Sequence, residues 1–81
     1  MAGKTAEEIW AEVIDTVERG LGGNTVIWLR QTRAESFANG ILSIIVQNSF
    51  SKNVIEEEYL KQIRSALKSI TNANTEVNFI V

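Results

Sequence analysis

The chain has 81 residues, ten acidic and eight basic, and contains neither cysteine nor histidine. Disulfides, thiolate metal sites and imidazole general-base chemistry are therefore excluded, which leaves catalysis to carboxylates, lysines or hydroxyls. A net charge of −2 confines any nucleic-acid affinity to a local patch.

Eighty-one residues suit one domain, numbered 1–81, with 1–4 expected as a flexible lead. The run "TAEE" at Thr5 to Glu8 has the spacing of a capping box, in which the Thr hydroxyl and the Glu carboxylate each accept from the other residue's backbone amide. A helix is expected to start there. Ile9, Trp10, Val13, Ile14, Val17 and Leu21 recur at three- and four-residue steps and give it one apolar face. Adjacent residues cannot both point at one centre, so one of Ile9 and Trp10 is expected at the edge of that face. The helix should stop at "RGLGG", with Gly20 in the left-handed conformation and Gly22 and Gly23 making the turn. Asn24 or Thr25 then caps a short second helix, "VIWLRQ", with Trp28 and Leu29 turned inward.

"AESFANGILSIIV" sets Asn39-Gly40 between two β-prone runs, the pair that suits a two-residue hairpin turn. Ala34 to Phe37 should pair with Ile41 to Val46. Asn48 caps a long third helix with apolar positions at Phe50, Val54, Tyr59, Ile63, Ala66, Leu67 and Ile70. Its charges run from Glu56, Glu57 and Glu58 to Lys61, Arg64 and Lys68, the order that suits the helix dipole. The alternating "EVNFIV" makes a last strand with Val77, Phe79 and Val81 on one face. The expected fold is α+β, ordered ααββαβ, with helices packed on one side of a three-stranded sheet.

The acidic residues of the first and third helices fall on solvated faces, so no catalytic site, metal or cofactor is expected. The longest apolar run, Ile44 to Val46, is far too short to cross a bilayer, and the N-terminus lacks a signal-peptide apolar region. No membrane contact is expected, and the chain reads as cytoplasmic.

Three stretches carry a resemblance: "IWAEVIDTVERGL", "WLRQTRAESFANGILSIIVQNSFSKNVIEEEYLKQI" and "EVNFIV". Trp10, Trp28, Leu29, Leu42, Asn48, Phe50, Tyr59, Ile63 and Phe79 fall in the register of the N-terminal domain, domain I, of the bacterial replication initiator DnaA, which the chain resembles over about residues 8–81. It departs from the family pattern at Gln47, where a proline is usual, at Val54, where a Trp is frequent, and in the loop before Trp28, one residue shorter with Thr25 in place of a Phe. The resemblance implies a KH-like fold acting as a non-catalytic docking module. It further implies weak self-association through the first helix at Trp10, and contacts with the replicative helicase or its loader and with initiation regulators through Asn48 and Phe50 and through the Asn24-Thr25 loop.

Phe50 has two readings. As a staple at a helix start it packs under the sheet edge, which periodicity favours; as an anchor bordered by Asn48, Ser49 and Lys52 it is exposed for a partner, which the resemblance favours. Trp10 likewise is either core or, as the resemblance implies, the edge residue of its face. A different class of function is a KH-like single-stranded nucleic-acid module. Gly20 to Gly23, "GLGG", has the GxxG spacing but no basic residue inside it, which leaves Arg19, Arg30 and Arg33 for at most a weak contact with single-stranded DNA. A purely structural domain without partners is the third reading.

Overall fold

The computed structural model describes residues 5–21, 27–71 and 75–81. Its elements are α1 (Ala6–Leu21), α2 (Ile27–Arg30), β1 (Arg33–Ala38), β2 (Ile41–Ile45), α3 (Ser49–Glu58), α4 (Leu60–Thr71) and β3 (Glu76–Ile80). The expected lead at residues 1–4, the turn at Gly22 and Gly23, the Asn24 or Thr25 cap and the Leu21 side chain lie outside the described residues.

Helix α1 begins in the capping box read from the sequence. The Thr5 amide donates to Glu8 Oε1 at 2.9 Å and the Glu8 amide donates to Thr5 Oγ1 at 3.1 Å. Both members are exposed, so the box satisfies amides that would otherwise depend on water. Ile9, Trp10, Val13, Ile14 and Val17 are all buried against the sheet and α4. The expected edge position within the Ile9–Trp10 pair is therefore corrected. Both are 3% exposed, because Ile9 and Trp10 point to different parts of a core that wraps around the helix. Gly20 is also corrected: it lies inside α1 without a positive φ, and the helix runs one residue past it.

The hairpin turn is the one expected. Asn39 has φ 55° and Gly40 φ 74°, so both central residues lie in the left-handed region that a twist-matching two-residue turn requires. Strands β1 and β2 pair antiparallel, Phe37 opposite Leu42 and Ala34 opposite Ile44, with a register shift between Ala34 and Ser36. β3 joins the other side of β2 in parallel, Val77 beside Leu42 and Phe79 beside Ile44, so β2 is the central strand. A parallel pair cannot be closed by a tight turn, and α3 and α4 supply the crossover. Leu42, Ile44 and Val46 face the helices and are buried, while Ile41, at 44%, is exposed on the opposite face. Val77 and Phe79 share the inner face as expected, but Val81 lies past the end of β3 and is exposed.

The long third helix is divided at Tyr59, whose φ of −122° and ψ of −5° depart from helical values. The hydrogen-bond ladder nevertheless crosses the division: the Tyr59 amide donates to Ile55 O and the Ile63 amide donates to Tyr59 O, each at 2.9 Å. Ser51, Ile55, Tyr59 and Ile63 are all buried and follow one another at four-residue steps. Each such step overshoots a full turn by about 40° at 3.6 residues per turn, so an unbroken helix would rotate this stripe out of the core. The irregularity at Tyr59 resets it. The stripe also runs through Ile55, which is fully buried, whereas Val54 is half-buried and Phe50 is exposed. At the far end, Thr71 Oγ1 donates to Leu67 O at 2.8 Å and lies 2.8 Å from Thr75 Oγ1, which ties the end of α4 to the start of β3.

Candidate protein interface

The junction between β2 and α3 places the most exposed aromatic side chain among the described residues. The Val46 amide donates to Ile80 O at 2.7 Å, so the sheet holds the chain one residue past β2. Asn48 is extended, with φ −161° and ψ 174°, and its Oδ1 accepts from the Ser51 amide at 2.8 Å. That cap fixes the first turn of α3. Ser51 is turned into the core, and Phe50, about 100° round the helix, points away from it and is 65% exposed.

Phe50 does not stand alone. Its ring meets the Trp28 indole edge to face, with centroids 5.5 Å apart and planes at 68°. Trp28 was expected in the core; it is only half-buried, packed against the edge of the hydrophobic cluster. Helix α2 has four residues, and Leu29 takes the inward direction with no exposed surface. The adjacent indole, about 100° further round the helix, is left at the rim, where Phe50 packs against it. The longer α1 buries both members of its Ile9–Trp10 pair, whereas the four-residue α2 buries only Leu29 of its pair.

Trp10 belongs to a different environment. Its Nε1 donates to Thr32 Oγ1 at 2.7 Å, and its ring stands edge to face against Phe79, with centroids 6.3 Å apart. Thr32 Oγ1 in turn donates to Leu29 O, so the indole is locked to the segment between α2 and β1. Trp10 is therefore structural in this fold and has almost no surface of its own.

Two of the three arginines are engaged by carboxylates. Arg19 pairs with Asp15 one turn earlier on α1, and the hydrogen bond to that carboxylate, followed by its charge, raises the guanidinium pKa above its ordinary value. Arg30 pairs with Glu18 and links α2 to α1. Arg33 opens β1 opposite Ile45 and has no ion pair among the described residues. Asn24, Thr25 and the rest of the "GLGG" loop beyond Leu21 lie outside the described residues. Among the described residues no helix is long and apolar enough to cross a membrane.

Comparison with known proteins identifies the family of the chain. The family model described as DnaA N-terminal domain matches residues 7–69, which is most of the chain. This chain belongs to the DnaA N-terminal domain family. It is 30% identical over 74 residues to the chromosomal replication initiator protein DnaA of Symbiobacterium thermophilum, covering 90% of this chain and 16% of that protein. It is 26% identical over 76 residues to the protein of the same name from Nostoc sp., covering 93% of this chain and 17% of the relative. The chain thus spans about a sixth of the length of these initiators. In this member of the family, the Asn48 cap and the Trp28 edge contact both bear on the outward Phe50.

Proposed function

We propose that this chain is a non-catalytic docking domain of a replication initiator. It presents Phe50 and Trp28, with Asn48 as the cap that aims them, to the replicative helicase or its loader and to initiation regulators. The observation that carries this reading is the exposed Phe50 ring on a capped helix. An aromatic that water penalises is held outward by a hydrogen-bonded turn, at little cost in conformational entropy when a partner covers it. Aromatic anchors of this kind dominate protein interfaces.

Weak self-association through helix α1 is a second part of the proposal. It would use the exposed side of that helix, and Trp10 would contribute by fixing the helix against Thr32 and Phe79. A single-stranded DNA contact draws less support, since Arg19 and Arg30 are engaged by carboxylates. Titration of Phe50→Ala with purified helicase or loader tests the docking reading: weaker binding from a normally folded domain supports it, and undiminished binding removes it.

A further inference from the structure

We infer that two copies of this chain associate through their helical layers, the acidic α1 of each copy laid against the basic α4 of the other. This rests on the self-association reading above and names the surfaces that meet.

Helix α1 carries Glu7, Glu8, Glu12, Asp15 and Glu18 against Arg19 alone, whereas α4 carries Lys61, Arg64 and Lys68 and no acidic residue. The three cations of α4 recur at steps of three and four, so they share one face. All three are exposed, while Ile63, Ala66 and Leu67 turn to the core. The two helices pack against each other, and an open groove of about 380 Å3 runs between them. Thr16 and Gly20 line it from α1, and Lys61, Ser65, Ala66 and Ser69 line it from α4. Thr16 Oγ1 donates to Glu12 O at 2.8 Å, and Glu12 and Glu8 stand one and about two turns before Thr16 in α1. Lys61 and Lys68 have no ion pair among the described residues, and Arg64 reaches Glu76 only at 3.9 Å. Glu56, Glu57 and Glu58 border a second groove with Lys61 and Arg64, but none of them forms an ion pair with either cation among the described residues.

An acidic helix and a basic helix on either side of an uncharged groove make a surface complementary to itself. A two-fold axis along the groove sets α1 of one copy over α4 of its partner and α4 over α1, so acidic meets basic twice. Pairing α1 with α1 would instead set five carboxylates against five, a like-charge contact that costs free energy. Gly20, Ser65, Ala66 and Ser69 put no long side chain between the copies. Other occupants fit less well. A basic polypeptide on α1, or a nucleic-acid strand on α4, would meet charge of its own sign across the groove.

The test is sedimentation equilibrium of the domain at low and high salt, with melts recorded alongside. It compares the parent with an α4 reversal (Lys61→Glu, Arg64→Glu, Lys68→Glu) and an α1 reversal (Glu7→Lys, Glu12→Lys, Asp15→Lys). The parent should associate at low salt and dissociate as salt rises. Each reversal alone should weaken association about tenfold or more, since it leaves both helices with the same sign of charge, and an equimolar mixture of the two should restore it. Lys61→Glu alone stands at the start of α4, where the helix dipole favours a carboxylate, so it should weaken association with an unchanged melt even if a triple variant folds poorly. A third variant, Glu35→Lys, Glu56→Lys, Glu57→Lys, has the same net charge as the α1 reversal and should not restore association with the α4 reversal. A parent that stays monomeric at low salt would overturn both the self-association reading and this geometry. If the parent associates, reversals that associate equally well, a mixture no stronger than its components, or restoration by the third variant would overturn the α1–α4 pairing and leave self-association standing. Loss of oligothymidylate binding in the α4 reversal, with association unchanged, would reassign α4 to nucleic acid.

Discussion

The Trp10 indole N–H donates to Thr32 Oγ1 at 2.7 Å, which joins the first helix to the segment entering the sheet and closes the core over Phe79. Trp10→Ala should therefore destabilise the domain by about 3–5 kcal/mol, the usual loss for a buried aromatic. Trp10→Phe keeps most of the apolar contact and loses the hydrogen bond, a loss of about 1–2 kcal/mol. Urea unfolding of both variants checks this. Any loss of self-association in Trp10→Ala has to be judged against its unfolding, and Trp10→Phe separates the two effects.

Two glycines should respond to alanine with opposite sign. Gly40 has φ 74°, and a Cβ there would meet nothing within 4 Å, so Gly40→Ala acts through backbone strain alone and should cost about 1–2 kcal/mol. Gly20 lies inside α1 with equally open surroundings, and Gly20→Ala should stabilise by about 0.4–1 kcal/mol. Thermal melts of the pair give the signs directly. A destabilised Gly20→Ala would show that the helix does not pass through that residue.

Ile55 has no exposed surface and Val54 is half-buried beside it. Ile55→Ala is expected to lose about 2–5 kcal/mol and Val54→Ala markedly less. The reverse order in denaturant melts would mean that the buried stripe runs through Val54 instead.

Asn48→Ala removes the acceptor for the Ser51 amide and should cost about 1 kcal/mol, whereas Asn48→Asp keeps the cap and should be nearly neutral. If Asn48 also touches a partner, Asn48→Asp will weaken binding without changing the melt. If it serves only as a cap, the aspartate variant will bind as the parent does.

The parts of this fold legible in the sequence are those fixed by neighbours in the chain. The Thr5–Glu8 box, the Asn39-Gly40 turn and the Asn48 cap each need only residues within three positions, and each is present. What periodicity alone did not reach depends on distant partners. Trp10 is buried because Thr32 and Phe79 come to it, and Trp28 sits at the rim because Leu29 takes the inward place and Phe50 covers the indole. The division at Tyr59 accompanies a buried stripe through Ser51, Ile55, Tyr59 and Ile63, which no local residue signals. Phe50 lay between. Periodicity placed it in the core, and the family register placed it outside, where it is found.

The most direct test of the docking claim is Phe50→Ala, titrated with purified replicative helicase or loader while its melt is recorded. The ring is mostly exposed and contributes one edge contact with Trp28, so stability should fall by only about 0.5–1.5 kcal/mol. Partner affinity should fall by about 2 kcal/mol or more, roughly 30-fold in Kd. A variant that melts normally and binds as tightly as the parent, or one whose binding loss is matched by a collapse in stability of about 3 kcal/mol or more, would contradict the assignment of this ring as the anchor.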